Sequence, residues 1–333
     1  MAASYETSTH AQHWILNPED IRKKREVANE LARTNMSNQY AGFNQDCVIS
    51  IDEGLELVKK LVLMIIKICQ KEKYIPRVLW TAAIMFRRFY LNNSLINNEN
   101  DPTLMMLTSI FVAGKAEEAP YTSALRGINV GALCAKTNSK FAVKDIIKAE
   151  INFLEGIQFH LVVFNPTRPL KGYIQVLKGD QNGPGWEEYG KICDEVILFS
   201  ILSDCCLMFP PSQIALAVLL FACERMEIPP VTKDTILNEF IFKSLEKGSE
   251  KANKILQVFE SISKELEYGS RDPEKKLYRA ANKKLKKIQE LVEMAEITRL
   301  NQENMKKIKR EPVSVMKQET PPPLPKVKRE SLK

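Results

Sequence analysis

The chain has 333 residues, 44% of them hydrophobic, enough for more than one packed core. Its 48 Lys+Arg and 41 Asp+Glu are unevenly spread: 18 against 9 lie from Arg271 onward, leaving 30 against 32 for residues 1–270. A body near −2 excludes a basic nucleic-acid-binding domain, and no apolar run reaches the roughly 18 residues of a membrane span.

The first residues, MAASYETSTHAQHW, have no basic flank leading into an apolar stretch, so no secretory signal is expected and this end is predicted to be mobile. Trp14, Ile15 and Leu16 form an apolar anchor, either a staple for the next helix or a contact for a partner. A charged surface helix is predicted over 17–35, with Asn17 as N-cap and Pro18 at N1. Five helices follow. They are predicted near Asp52–Cys69, from Pro76 into FRRFYLNN, over Pro102–Glu118, near Ser123–Cys134, and over Lys140–Ile157. The two prolines of NPTRP, 165–169, separate these from a second set. That set is expected at Leu170–Leu177, Trp186–Met208, Pro211–Glu227, Lys233–Leu245 and Ser249–Tyr268. A basic helix is predicted from Asp272 to Arg310 with Pro273 at N1; its stripe of Leu285, Ile288, Leu291, Val292 and Ala295 suits the body or a partner. The Pro- and charge-rich end reads as disordered. The layout is then all-α: an extension over 1–45, a first unit over 46–164, a second over 165–268, a basic helix over 269–310 and a disordered tail over 311–333.

One helix occurs twice. PTLMMLTSIFVAGKAEE (Pro102–Glu118) and PSQIALAVLLFACERME (Pro211–Glu227) align without gaps, matching Pro102 with Pro211, Leu107 with Leu216, Ala113 with Ala222 and Glu118 with Glu227. Each opens with Pro at N1 and is then apolar for about three turns, the pattern of a buried central helix. Two five-helix units sharing that pattern suggest a duplicated all-α domain.

Such a tandem resembles the cyclin box fold. FRRFYLNNS (86–94), QFHLVVFNPTRP (158–169), PPSQIAL (210–216) and QHWILNPEDIRKKREVANE (12–30) are similar to cyclins of the H kind. The resemblance covers roughly residues 12–268. Cyclin C is the nearest competitor, sharing the Trp-Ile-Leu and the Phe-Arg-Arg-Phe-Tyr core, while the Leu-Asn-Asn continuation and the PSQIAL run favour H.

The resemblance implies a non-catalytic regulatory subunit. Its partner would be a cyclin-dependent kinase of the CDK-activating type, acting on activation loops and on the RNA polymerase II C-terminal domain within TFIIH, with a third assembly subunit. It implies kinase contact at Lys115, in AGKAEE, and Glu150, in KAEINFL, with Glu118 and Trp14 beside them. The residues alone allow blander roles: Lys115 as a cation matching a helix C-terminus, Glu150 as a solvated helix position. The sequence also departs from the family at Gly114, Ala116 and Ala119, which suggests a less filled rim around Lys115. LELVKKLVLMI does not match the substrate-docking patch of cell-cycle cyclins, so recruitment by that route is not expected.

No catalytic constellation, phosphate loop, cofactor motif or metal site is expected. His10 and His13 are only a weak metal signal, and His160 reads as a packed residue. The seven Cys include no C-x-x-C pair and read as reduced thiols of an intracellular protein. Basic runs at Lys306, Lys307, Lys309 and Arg310 and at Lys326, Lys328 and Arg329 have the shape of nuclear import signals, implying a nuclear protein. Ile308–Glu311, Met316–Glu319 and Val327–Glu330 fit an apolar–Lys–x–Glu acceptor pattern, and Thr320 precedes a proline. Two rivals are a TFIIB-like DNA-binding fold, which would need a basic body and a zinc ribbon, and an all-α scaffold without a kinase.

Overall fold

The computed structural model describes residues 4–119, 128–137, 140–181 and 183–310, and among them there is no strand. It divides into two compact units, residues 1–291 and 292–333. In the first unit, a short α1 (Thr9–His13) precedes the long α2 (Pro18–Gln39). Then come α3 (Ile51–Lys71), α4 (Pro76–Asn92), α5 (Pro102–Ala116), α6 (Val130–Thr137) and α7 (Val143–Gly156). The second set comprises α8 (Thr167–Lys178), α9 (Pro184–Leu202), α10 (Cys205–Met208), α11 (Pro211–Cys223), α12 (Lys233–Leu237) and α13 (Glu250–Ser270). Last is α14 (Lys275–Arg310). In the second unit its stretch from residue 292 on exposes Met294, Ile297, Leu300 and Met305. Residues 311–333, expected to be disordered, lie outside the described part, as does the predicted start of the fourth helix at Ser123.

The duplicated helices are the two centres. α5 packs against α3, α4 and α7; α11 packs against α8, α9 and α13. Met105, Leu107 and Ile110 on α5, and Ala217, Val218 and Leu219 on α11, are wholly buried. Each large side chain among them contributes roughly 1.5–3 kcal/mol by leaving water. Local chemistry sets the helix starts. Pro102 and Pro211 stand at N1, and the Asp101 carboxylate accepts from the N–H groups of Thr103 and Leu104. Ser50 and Glu53 close a capping box, and the Glu53 carboxylate also holds Lys284 of α14 at 2.7 Å. Burial would raise the Glu53 pKa, but the bonds from Lys284 and Ser50 outweigh it and hold the group below its ordinary value.

Four expectations are corrected. The helix predicted over Trp186–Met208 breaks after Leu202, because the Ser203 carbonyl accepts from Arg87 Nε (2.8 Å) and Asp204 turns to meet Arg25. The Lys233–Leu245 helix is only five α-helical residues long before a π-helical turn at Asn238–Phe242. Pro273 is not at N1 of α14, since the next N–H, of Glu274, donates to Glu56 and the helix starts at Lys275. The segment around Ser8 and His10, read as part of a mobile end, is packed: Ser8 caps α1, and the His10 ring is buried with its Nδ1 accepting from the Phe164 N–H at 3.0 Å.

Candidate functional site

Lys115 lies in the last turn of α5, where a cation complements the helix dipole. Its ammonium pairs with the Glu150 carboxylate of α7 and lies 4.9 Å above the Phe111 ring. The Lys115 side chain is 50% exposed and that of Glu150 20%, so the two form a surface pair open to a third group. The chain leaves α5 through a tight turn: Ala119 N–H donates to the Gly114 carbonyl, and Glu118 adopts φ +47°. Glu118 is exposed, whereas Glu117 turns back to accept the Thr81 hydroxyl at 2.6 Å, with Arg77 at 3.5 Å.

Gly114 has a steric explanation. A Cβ there would sit 2.6 Å from Cγ1 of Ile128, so the returning chain packs against the missing side chain. The rim expected to be less filled is occupied at this point by Ile128.

α7 has two faces. Ile146, Ala149 and Phe153 point inward, Phe153 stacking on Phe89 at 5.2 Å. The other face carries Val143, Ile147 and Ile151 with Glu150 among them, and Ile147 and Ile151 are 54% and 56% exposed. Beyond α7 the chain exposes Phe159, Leu161 and Val162. Gln158 and Phe159 both hold positive φ, an arrangement non-glycine residues adopt at a cost of roughly 1–2 kcal/mol each. An ion pair bordered by large exposed apolar side chains has the composition of an interaction surface rather than of a catalytic centre.

Trp14 is not part of this pair. It is 2% exposed, its Nε1–H donates to His160 Nδ1 at 3.1 Å, and its ring covers the Arg88 guanidinium at 4.9 Å. With Ile21, Leu91 and Leu207 it forms a small core, and Leu16 N–H donates to the Leu207 carbonyl. The place of Trp14 in one buried cluster with Ile21 of α2 fits a staple for that helix. The bond from Trp14 makes His160 a packed residue.

The unforeseen feature is a charge network. Arg25 of α2 grips the Asp204 carboxylate with two bonds of 2.6 and 2.7 Å, while Arg87 Nη2 stands 3.9 Å from it. Glu265 of α13 accepts from the Asp204 N–H at 3.1 Å. The signal was present in FRRFY: two arginines inside an otherwise apolar helix need buried partners. Lys306, Lys307, Lys309 and Arg310 end α14 with side chains outside the described part, and Lys326, Lys328 and Arg329 lie wholly outside it. Among the described residues, no His, Cys, Asp and Glu group could hold a metal ion, and no helix is long and apolar enough to cross a membrane. All seven Cys are free thiols, six of them buried.

Comparison with known proteins agrees with this architecture. Residues 31–162 match the cyclin N-terminal domain and residues 165–267 the cyclin C-terminal domain. Cyclin-H of Xenopus laevis is 31% identical over 228 residues, 66% of this chain and 69% of its own length. Cyclin-C of Drosophila pseudoobscura pseudoobscura is 29% identical over 234 residues, 67% of this chain and 77% of its own. Among solved structures, a chain of the CAK complex from Chaetomium thermophilum bound to ATP-gamma-S superposes with a TM-score of 0.70 at 24% identity. That match covers 89% of this chain and 93% of the other, and shows the shared fold. The chain therefore belongs to the cyclin family, of the kind represented by cyclins H and C, and is a regulator of a cyclin-dependent kinase.

Proposed function

We propose that this cyclin is the activating subunit of a kinase of the CDK-activating type, and that it meets the kinase through Lys115, Glu150 and the apolar face around them. The observation that carries this reading is the exposed stripe Val143, Ile147 and Ile151 with Glu150 in its midst and Lys115 paired to it. The ammonium supplies donors and the carboxylate acceptors for main-chain groups at the end of the kinase αC helix. The apolar face presses αC inward and brings its Glu to the catalytic Lys, the ion pair that ATP positioning requires. Activation is then a population shift, because the cyclin binds the active arrangement better. An exposed ion pair contributes only about 0–1 kcal/mol, so redirecting Lys115 and Glu150 to a partner costs little. Glu118 extends the polar edge, and Trp14 acts through the N-terminal segment it anchors.

In this reading the units 46–164 and 165–268 divide the work, the first meeting the kinase and the second supporting it. The chain has no catalytic residues or cofactor of its own, its body binds no nucleic acid, and a third subunit and TFIIH complete the assembly. The basic runs near residues 306–310 and 326–329 carry it to the nucleus. The cyclin C role, in a Mediator kinase, is the second reading, because the two relatives match at similar identity. Reconstitution with candidate kinases tests both. Wild type should recover a kinase that phosphorylates activation loops and polymerase C-terminal repeats, while Glu150→Lys and Lys115→Glu should lose at least about tenfold in activation, the effect of truncating one partner of an interface charge pair. Normal activation by both variants would refute the placement. Activity only with a Mediator-type kinase would favour the second reading.

A further inference from the structure

A cleft of about 420 Å³ opens within the first compact unit, walled by residues of both cyclin boxes. Arg77, in the first turn of α4, lines it from the first box. Arg168, in the first turn of α8, and Ser212, in the first turn of α11, line it from the second. None of these three helix starts has an acidic residue in its first turn or a side-chain cap. A cation in the first turn opposes the helix dipole, so both arginines stand where they cost the fold stability. The chain does little to compensate them. The Arg168 side chain is exposed and forms no hydrogen bond or ion pair with another described residue. Arg77 is 66% exposed and reaches only Glu117, at 3.5 Å. Glu117 is 18% exposed and engaged by the Thr81 hydroxyl at 2.6 Å, so the charge facing solvent at the cleft is cationic. Residues that break a local rule without a gain to the fold are expected at functional positions. Most of the remaining wall is apolar: the Tyr5 and Phe164 rings pack edge-on at 5.4 Å, and Pro169 and Pro211 line the same cleft.

We propose that this cleft binds a phosphorylated peptide segment of a partner protein, its phosphoryl group held by Arg77 and Arg168 and the proline that follows the phosphorylated residue lying on the apolar wall. The donors set the charge of the ligand. Two guanidiniums offer paired N–H groups, and Ser212 adds a hydroxyl with no partner among the described residues. A phosphate monoester answers them with close to two negative charges and three acceptor oxygens, whereas a carboxylate has one charge and two oxygens. The apolar wall sets the rest of the ligand: aromatic-lined grooves take extended, proline-containing segments, which lose little entropy on docking. A free phosphate would leave that wall uncovered. The volume also suits more than a bare ion, since ligand-sized sites run from roughly 300 to 1,000 Å³.

The test uses the full chain alone and does not depend on the kinase reading. The probe is a fluorescein-labelled peptide, Ala-Ala-phosphothreonine-Pro-Pro-Ala, followed by anisotropy. Wild type should bind it at least about tenfold more tightly than the unphosphorylated peptide, with the difference shrinking as salt rises. Arg77→Gln and Arg168→Gln should each weaken binding roughly tenfold, the effect of losing a bond to a charged group, while the melting temperature holds or rises. Arg168→Lys should restore part of the loss, because it returns the charge without the fork. Inorganic phosphate and ATP should displace the probe only at concentrations at least about tenfold above those of unlabelled phosphopeptide. Absent binding, equal binding of the phosphorylated and unphosphorylated peptides, or unchanged affinity in both glutamine variants would overturn the proposal. Displacement by inorganic phosphate or ATP as readily as by the phosphopeptide would overturn it too.

Discussion

Replacing Asp204 with Asn would leave Arg25 and Arg87 converging on a neutral amide. In the native protein the carboxylate takes two bonds from Arg25 at 2.6 and 2.7 Å, and Arg87 Nη2 is 3.9 Å away. The three side chains are only 13%, 19% and 3% exposed for Arg25, Asp204 and Arg87, so water cannot replace the lost charge. Removing one member of such a buried pair costs about 3–5 kcal/mol, and the retained amide oxygen places Asp204→Asn near the lower figure. At roughly 2–4 °C per kcal/mol the melting temperature should fall by about 6–12 °C. Circular dichroism at 222 nm with urea titration would measure it, and a cycle with Arg25→Met should show coupling of at least about 1.5 kcal/mol. A loss under about 1 kcal/mol, or no coupling, would refute the view that this bond secures α2 to the second box. The pH dependence has a definite sign. Burial raises the Asp204 pKa, but the Arg25 bonds and charge more than offset it, so the folded value is depressed. Its stabilisation is therefore present above the unfolded value near about 3.9 and lost as pH falls through the lower folded value. The gap between wild type and Asp204→Asn should stay constant from pH 8 to 5 by this linkage and close only below about pH 4.

Glu265 should behave oppositely: burial and the Asp204 charge raise its pKa, so its contribution is present below the unfolded value and lost as pH rises through the folded one. Glu265→Gln, which keeps the acceptor for the Asp204 N–H, should be neutral or stabilising at pH 7.5, with the difference vanishing near pH 4; denaturant midpoints at both pH values check this. Lys115→Ala should change stability by less than about 1 kcal/mol, since the pair is exposed, yet weaken kinase capture; equal losses in both would mean the pair serves the fold. Gly269→Ala should be severe: the added Cβ would lie 2.1 Å from the Phe199 carbonyl oxygen, a backbone atom unable to yield, and a loss of roughly 3 kcal/mol or more is expected in urea unfolding. Gly114→Ala should cost about 1–3 kcal/mol, as Ile128 is a side chain that can shift, and should disturb kinase capture through the Lys115 turn.

Much of this protein was legible from short-range pattern. Pro102 and Pro211 at N1, the Asn17 cap and the apolar runs of α5 and α11 depend on residues within about one turn of each other, and the helices formed where those signals stood. Lys115 and Glu150 were named from their motifs, but that they pair across 35 residues is a matter of how α5 lies on α7. The same holds for Gly114, an oddity in one dimension and a seat for Ile128 in three. Tertiary structure alone decided which groups neutralise the buried arginines. Arg25 and Asp204 are 179 residues apart, and their bond interrupts a helix that periodicity continues to Met208. It also decided that Tyr5, His10 and Trp14 are packed, because Tyr5 and His10 gather against Phe164 and Trp14 covers the buried Arg88, whose burial no local window reveals. Helix propensity and capping are settled between near neighbours in sequence, whereas the desolvation of a charge depends on everything the folded chain brings around it.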